Sequence, residues 1–167
     1  SLGPPCADFA SGLPPGTIYV DDDAAAGGDG QRATPFRTIA EALSGARTIA
    51  VARGSYDGSL TLPAGVALIG ACPGETVIRG SNLAPVLALS GSATVAGLRI
   101  EGGTTGISAS RGALHLRELW LAAAYGPGLT IGPATRVRLE DVAIRSSGGP
   151  GAMARGATLV GRRLSIQ

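Results

Sequence analysis

A chain of 167 residues fits one domain. Aromatics are only 4% beside 44% hydrophobic residues, so the core must be aliphatic, and 27 Gly with 11 Pro are too many for a helical protein. A formal charge of +2, with no basic patch interleaved with aromatics, gives no case for a nucleic-acid partner, and no apolar run reaches the ~18 residues of a membrane span.

Residues Ser1–Gly16 are rich in Pro and Gly and read as an extended arm. Thr17–Asp21 follows as a short strand, then Asp22–Arg32 as an acidic, Ala/Gly-rich loop. Asp21, Asp22, Asp23 and Asp29 could bind calcium, with Asp21, Asp23 and Asp29 as the candidate set, but the spacing does not fit an alternating loop of oxygen ligands ending in Glu. A solvated turn is the favoured reading. Next, Thr34 as N-cap, Pro35 at the first helical position and Gly45 past the end predict a helix of roughly ten residues over about 35–45. Phe36, Ile39, Ala40 and Leu43 would form its apolar face, which suits a lid on the end of an open stack of strands.

From there the chain is periodic. Six pairs recur, Ile49/Val51, Thr76/Ile78, Leu98/Ile100, Leu119/Leu121, Val142/Ile144 and Leu164/Ile166, at steps of 27, 22, 21, 23 and 22 residues. A period in the low twenties with strand-like alternation predicts a stacked β-solenoid. Upstream of the last four pairs lie Val95, Leu116, Leu139 and Gly161, and before those Ala93, Leu114, Val137 and Leu159. Two residues rather than one separate these positions from the pairs, so the chain must bend between two strands. A third strand per coil is read at Leu60/Leu62, Leu87/Leu89, Ile107/Ala109, Leu129/Ile131 and Ala152/Ala154. The expected architecture is all-β: a parallel β-helix of three strands per coil and about five to six coils over residues 17–167.

The run Ile18-Tyr19-Val20-Asp21, Gly28-Asp29-Gly30, Thr34-Pro35-Phe36-Arg37-Thr38-Ile39, Ile49 through Tyr56 and Val66 through Gly70 resembles bacterial secreted or lipoprotein β-helix proteins of the pectin-lyase-like superfamily. The resemblance implies a right-handed helix and an extracytoplasmic location. It says little about activity, because this scaffold carries lyases, hydrolases, adhesins and inert spacers. It also implies where an active site would stand: the outer face of the third strand row. The outward positions there are Ala88, Ser108, Thr130 and Met153, with Ser110 and Arg155 at the end of the row, and no carboxylate or base is among them. The expected function is therefore a non-catalytic structural or recognition module. A polysaccharide lyase or glycoside hydrolase is the alternative.

Charge collects instead near the bend, in the columns Arg117, Glu140, Arg162 and Glu118, Asp141, Arg163. Stacked rungs lie about 4.8 Å apart, so these read as a salt-bridge ladder, with Glu118, Asp141 and Arg117 as the catalytic alternative. His115 faces outward between Thr94 and Arg138 and reads as solvated. Trp120 points outward beside Arg99, with Tyr125 in the next loop, and these three are the candidate sugar-binding residues. Cys6 and Cys72 cannot make a metal site; a disulfide is read in preference to free thiols, which agrees with an oxidising compartment. No cofactor is expected beyond the calcium alternative, and a polysaccharide or cell-surface glycan is the expected partner. Ser1 reads as a processed end. The strand at 163–167 predicts either a chain that continues or end-to-end self-association through the last rung.

Overall fold

The computed structural model of the chain describes residues 12–123, 125–146 and 148–166. Most of the expected arm, Cys6 with it, lies outside the described residues. In chain order the elements are β1 (Ile18–Val20), α1 (Ile39–Ala42), β2 (Thr48–Val51), β3 (Gly54–Asp57), β4 (Leu60–Leu62), β5 (Ala67–Gly70), β6 (Thr76–Gly80), β7 (Leu87–Leu89), β8 (Ala93–Gly102), β9 (Ile107–Ala109), β10 (Gly112–Ala123), β11 (Leu129–Ile131), β12 (Thr135–Ser146), β13 (Ala152–Ala154) and β14 (Thr158–Ile166). Every pairing between strands is parallel. The expected parallel β-helix is the observed fold, with about five turns.

Three rows enclose the core. The pre-bend row runs β1, β2, β5 and then the first halves of β8, β10, β12 and β14. The post-bend row runs β3, β6 and the second halves of the same long strands. The third row is β4, β7, β9, β11, β13, as the alternation predicted. Leu98, Leu119, Val142 and Leu164 stack as one column. The first three are at most 1% exposed, whereas Leu164, on the last rung, is 40% exposed. Aliphatic side chains dominate this core because each rung repeats a small set of inward positions, and branched residues stack in them without voids.

The bend has a backbone cause. Gly97, Glu118, Asp141 and Arg163 all adopt left-handed φ, at 66°, 51°, 53° and 52°, and each falls where the ladder skips a residue. One left-handed residue turns a strand sharply, at about 1 kcal/mol for a residue with a Cβ. Glycine is needed at the first of these corners. A Cβ on Gly97 would press on the carbonyl oxygen of Gly70 in the coil before it.

The earlier coils turn by another route. Between β5 and β6 the chain inserts a five-residue loop, 71–75. Thr76 ties this loop down from inside the core: its fully buried hydroxyl donates to the Ala52 carbonyl and accepts from Ala71 N–H, each at 3.1 Å. This insertion corrects the repeat read from sequence. Ile49/Val51 pairs with Leu68/Gly70 on the pre-bend row, not with Thr76/Ile78. The rung preceding Ile78 is Tyr56 on β3, so the post-bend steps from Tyr56 to Ile166 are 22, 22, 21, 23 and 22 residues.

The helix is also corrected. It is one turn, Ile39–Ala42, capped by Thr38, whose hydroxyl accepts from Glu41 N–H while the Glu41 carboxylate accepts from Thr38 N–H. Thr34 and Pro35 do not start it, because the chain there is engaged with β1. Phe36 N–H donates to the Tyr19 carbonyl, and the Phe36 carbonyl accepts from Asp21 N–H, both at 2.9 Å. Ala40 is exposed. Ile39 and Ala42 are buried against the first rung, with Phe36 and Leu43 partly buried beside them. The lid exists, but half of it is a loop.

Candidate functional site

Each row presents an outer face, and the three differ in chemistry. The third row shows Thr61, Ala88, Ser108, Thr130 and Met153 in register. None of these side chains is a carboxylate, an imidazole or an amine, the usual groups for proton transfer near neutral pH.

On the post-bend row, Trp120 stacks between Arg99 and Ala143 as expected and is 38% exposed. Arg99 is not available as a lone cation. Its Nε lies 3.0 Å from Glu101 Oε1, and Arg79 Nε lies 3.1 Å from Oε2 of the same carboxylate. Arg79 also donates to Ser55 Oγ at 3.0 Å. Tyr125 is 59% exposed, and its hydroxyl accepts from Asn82 Nδ2 at 3.1 Å, which ties two loops together. Register unites Trp120 with Arg99; Tyr125 is held elsewhere, by Asn82. This face offers one aromatic ring beside two arginines that share the Glu101 carboxylate.

The pre-bend row carries His115 and Arg117 on β10, Arg136, Arg138 and Glu140 on β12, and Arg162 on β14. Arg117, Glu140 and Arg162 do form one column. The ion pairs, however, run differently from the expected ladder. Glu140 Oε1 accepts from Arg138 Nε at 2.7 Å, and Oε2 lies 3.1 Å from His115 Nε2. Hydrogen bonds from His115, then from Arg138, hold the Glu140 carboxyl below its usual range. His115 is therefore partnered rather than simply solvated. Arg138 and Glu140 sit two residues apart on one strand and so share a face. That signal was present in the alternation, but ladder reasoning looked only across strands.

At the corner, Asp141 is engaged by Arg163, with Nη2 donating to Oδ2 at 2.7 Å. Glu118 is exposed on the rung before. Among the described residues, no ion pair joins Arg117 to either carboxylate.

In the acidic loop three of the four candidate calcium ligands come together. Asp21, Asp22 and Asp23 bring their carboxylate oxygens within 4.8 Å of one another, while Asp29 stands apart. Asp29 is occupied in closing its own loop: it accepts from the Thr34 hydroxyl, from Gln31 N–H at 3.0 Å and from Gln31 Nε2 at 2.9 Å. The Thr34 bond first, then the Gln31 N–H, lowers its pKa. Asp22 has a structural task that sequence reading missed. Its Oδ2 accepts from Ser55 N–H at 2.8 Å, on the edge of β3 that has no preceding strand. The carboxylate lies over Gly54, where any Cβ would collide with it. Two surface hollows of about 550 and 520 Å³ flank this loop, the second lined by Asp22, Arg37, Tyr56 and Asp57. Tyr56 itself is 4% exposed; burial raises its phenol pKa, and its hydroxyl donates to the Ala52 carbonyl at 3.1 Å.

No family model matches this chain, and no curated protein matches it in sequence. Among solved structures it is similar to pectin methylesterase PemA from Erwinia chrysanthemi, with a TM-score of 0.51 and 15% identity. The similarity covers 77% of this chain and 55% of PemA, so it spans little more than half of that enzyme. Such a likeness establishes a shared fold: the chain is a parallel β-helix of the kind found in that enzyme.

Proposed function

We propose that the chain is a non-catalytic, extracytoplasmic module of the pectin-lyase-like kind, with a structural or recognition role and weak carbohydrate affinity. The observation that carries this reading is the third-row face, where five stacked outward positions hold no carboxylate, histidine or lysine. A lyase or hydrolase needs an acid, a base or a metal seat converging on one point. The rival site would be Glu118, Asp141 and Arg117. Asp141 is already engaged by Arg163, which counts against it as a free acid or base.

Trp120 is the ring on which a sugar would stack. A glycan array probed with the chain and with Trp120→Ala tests this. Weak binding to neutral glycans that disappears in the variant supports the reading; no binding to any glycan refutes the recognition role and leaves a structural one.

The extracytoplasmic assignment rests on the family resemblance and on a Cys6–Cys72 disulfide. Closing that span would stabilise the chain by about 2–4 kcal/mol. Titration of the unfolded, unreduced protein should find no thiol; two thiols would remove this support.

A further inference from the structure

We infer that the open edge of β3 is a docking site for an extended, basic segment of a partner protein, added as a parallel strand beside the lid. The inference goes beyond the recognition reading above and does not depend on sugar binding at Trp120. It starts from an offset between two rows. On the pre-bend row β1 precedes β2, whereas among the described residues no strand precedes β3 on the post-bend row.

Alternation in a parallel ladder decides which backbone groups of β3 are left over. Gly54 N–H donates to the Glu75 carbonyl at 2.9 Å and Gly58 N–H to the Arg79 carbonyl at 2.6 Å, so Gly54, Tyr56 and Gly58 turn toward β6. Ser55 and Asp57 turn their backbone groups the other way. Asp22 Oδ2 takes one of these, Ser55 N–H, at 2.8 Å. The chain then turns off at once, with Asp23 N–H on Asp21 Oδ1 and Ala24 N–H on the Asp21 carbonyl. Ser55 C=O, Asp57 N–H and Asp57 C=O have no partner among the described residues, and both residues are exposed. They open into the 520 Å³ hollow, whose far wall is Arg37, Thr38, Ile39 and Ala40 of the lid. A walled edge gives a docked segment side-chain contacts as well as backbone bonds.

The ladder sets what fits. In a parallel pairing, the segment residue opposite Tyr56 donates its N–H to Ser55 C=O and accepts from Asp57 N–H, and the residue two further on donates to Asp57 C=O. Those two share the inward side with Tyr56, against Ile39, and so are apolar. The residue between them shares the outward side with Asp57, which has no ion pair among the described residues. Asp22 lines the same hollow, and the Asp21 and Asp23 carboxylates lie within 4.8 Å of its own, against the single cation Arg37. Arg or Lys is the complementary side chain. The chain's own Ser1–Gly16 holds no Arg or Lys and breaks any ladder at Pro4 and Pro5, so it does not meet the pattern.

Fluorescence anisotropy with the whole chain and a short labelled peptide alternating valine with arginine tests this. Saturable binding is expected, and none for the same peptide with glutamate in place of arginine. N-methylation of the valines, whose N–H groups face β3, should abolish binding; N-methylation of the arginines should leave it. Asp57→Asn should weaken binding about two- to fivefold through the lost charge. Asp57→Pro removes the edge donor, leaves the ladder to β6 whole, and should weaken binding about tenfold or more. If circular dichroism shows that Asp57→Pro does not fold, the two methylated peptides still decide. Trp120→Ala should change nothing, which keeps this test apart from the glycan array. In hydrogen exchange, Asp57 N–H should be fast in the free chain and slow once peptide is added.

Equal binding of both methylated peptides, or binding untouched by a folded Asp57→Pro, overturns the site. Loss on methylating the arginines rather than the valines overturns the parallel register. Slow exchange of Asp57 N–H before peptide is added overturns the partner as occupant. In a monomer by light scattering the chain's own arm then holds the edge, and in a dimer a second copy does. No binding of the valine–arginine peptide overturns the proposal and leaves the glycan result standing.

Discussion

The first and last described rungs of this solenoid differ in how far their strands and core are covered. At the first rung the edge of β1 is covered by its own loop, with Tyr19 N–H on the Gly30 carbonyl and Phe36 N–H on the Tyr19 carbonyl. Asp22 satisfies the first donor on the edge of β3, and Ile39 and Ala42 close the core. At the last described rung Leu159, Val160, Leu164 and Ile166 are 37–62% exposed, and among the described residues β14 has one strand neighbour, β12. The coils also bend differently: by a loop tied to Thr76 near the start, and by left-handed corners from Gly97 onward. The regular coils carry His115, Arg117, Arg136, Arg138, Glu140 and Arg162 on one outer face, and the register set by the tight corner puts Arg117, Glu140 and Arg162 in one column.

That contrast can be broken most forcefully at the lid. Ile39→Ala should cost about 2–5 kcal/mol, because the side chain is 2% exposed and its loss opens a cavity over the first rung. Ile166→Ala, at 50% exposure, should cost under about 1 kcal/mol. Urea unfolding of both variants reads the difference, and equal losses would mean the two ends are not closed to different degrees.

The corners come next in size. Gly97→Ala should destabilise by about 2–3 kcal/mol, combining left-handed strain with pressure on the Gly70 carbonyl. Glu118→Gly should instead leave stability unchanged or raise it by up to about 1 kcal/mol, since strain is relieved while the unfolded chain gains freedom. A loss on Glu118→Gly similar to that at Gly97 would show that the corner residues are held by side-chain contacts rather than by backbone geometry.

Asp22→Ala should cost about 1 kcal/mol through the lost bond to Ser55 N–H. Hydrogen exchange at Ser55 should quicken in that variant; unchanged protection would remove Asp22 from the closed end.

The smallest effect is with pH. Asp29, Glu41 and Glu140 are all held below their usual range, by Thr34, Thr38 and His115 respectively. A depressed folded pKa means stabilisation that is present above the unfolded value of about 4 and is lost as pH falls through the folded one. The urea midpoint should therefore drop slightly below pH 4, and drop less in Asp29→Asn, which has no carboxyl left to protonate. An identical acid response in both proteins would contradict the role given to the Thr34 bond.

The columns from Leu98 onward were readable because a two-residue bend leaves the inward alternation intact on both sides. The first coil was not, because residues 71–75 add length between strands and Ile49/Val51 look like members of the wrong row. The helix start was misplaced for a local reason. Thr34-Pro35 carries an N-cap and a first-position proline, but the capping box Thr38-x-x-Glu41 was the competing start signal, and nothing in the sequence shows that Phe36 pairs with β1. At the candidate sites, the outward positions were legible and the ion-pair partners were not. Arg117 and Arg162 lie one rung from Glu140, Arg138 two residues from it and His115 on the diagonal, and side-chain reach, not sequence spacing, chooses among them.

The proposed non-catalytic role implies that the chain does no chemistry on a polysaccharide. Incubating the chain with pectin, polygalacturonate and alginate, with and without calcium, and following unsaturated products by absorbance, reducing ends and released methanol, tests it most directly. The account predicts no product above the buffer control. Product formation that Glu118→Gln or Asp141→Asn abolishes would contradict it and assign the corner carboxylates a catalytic role.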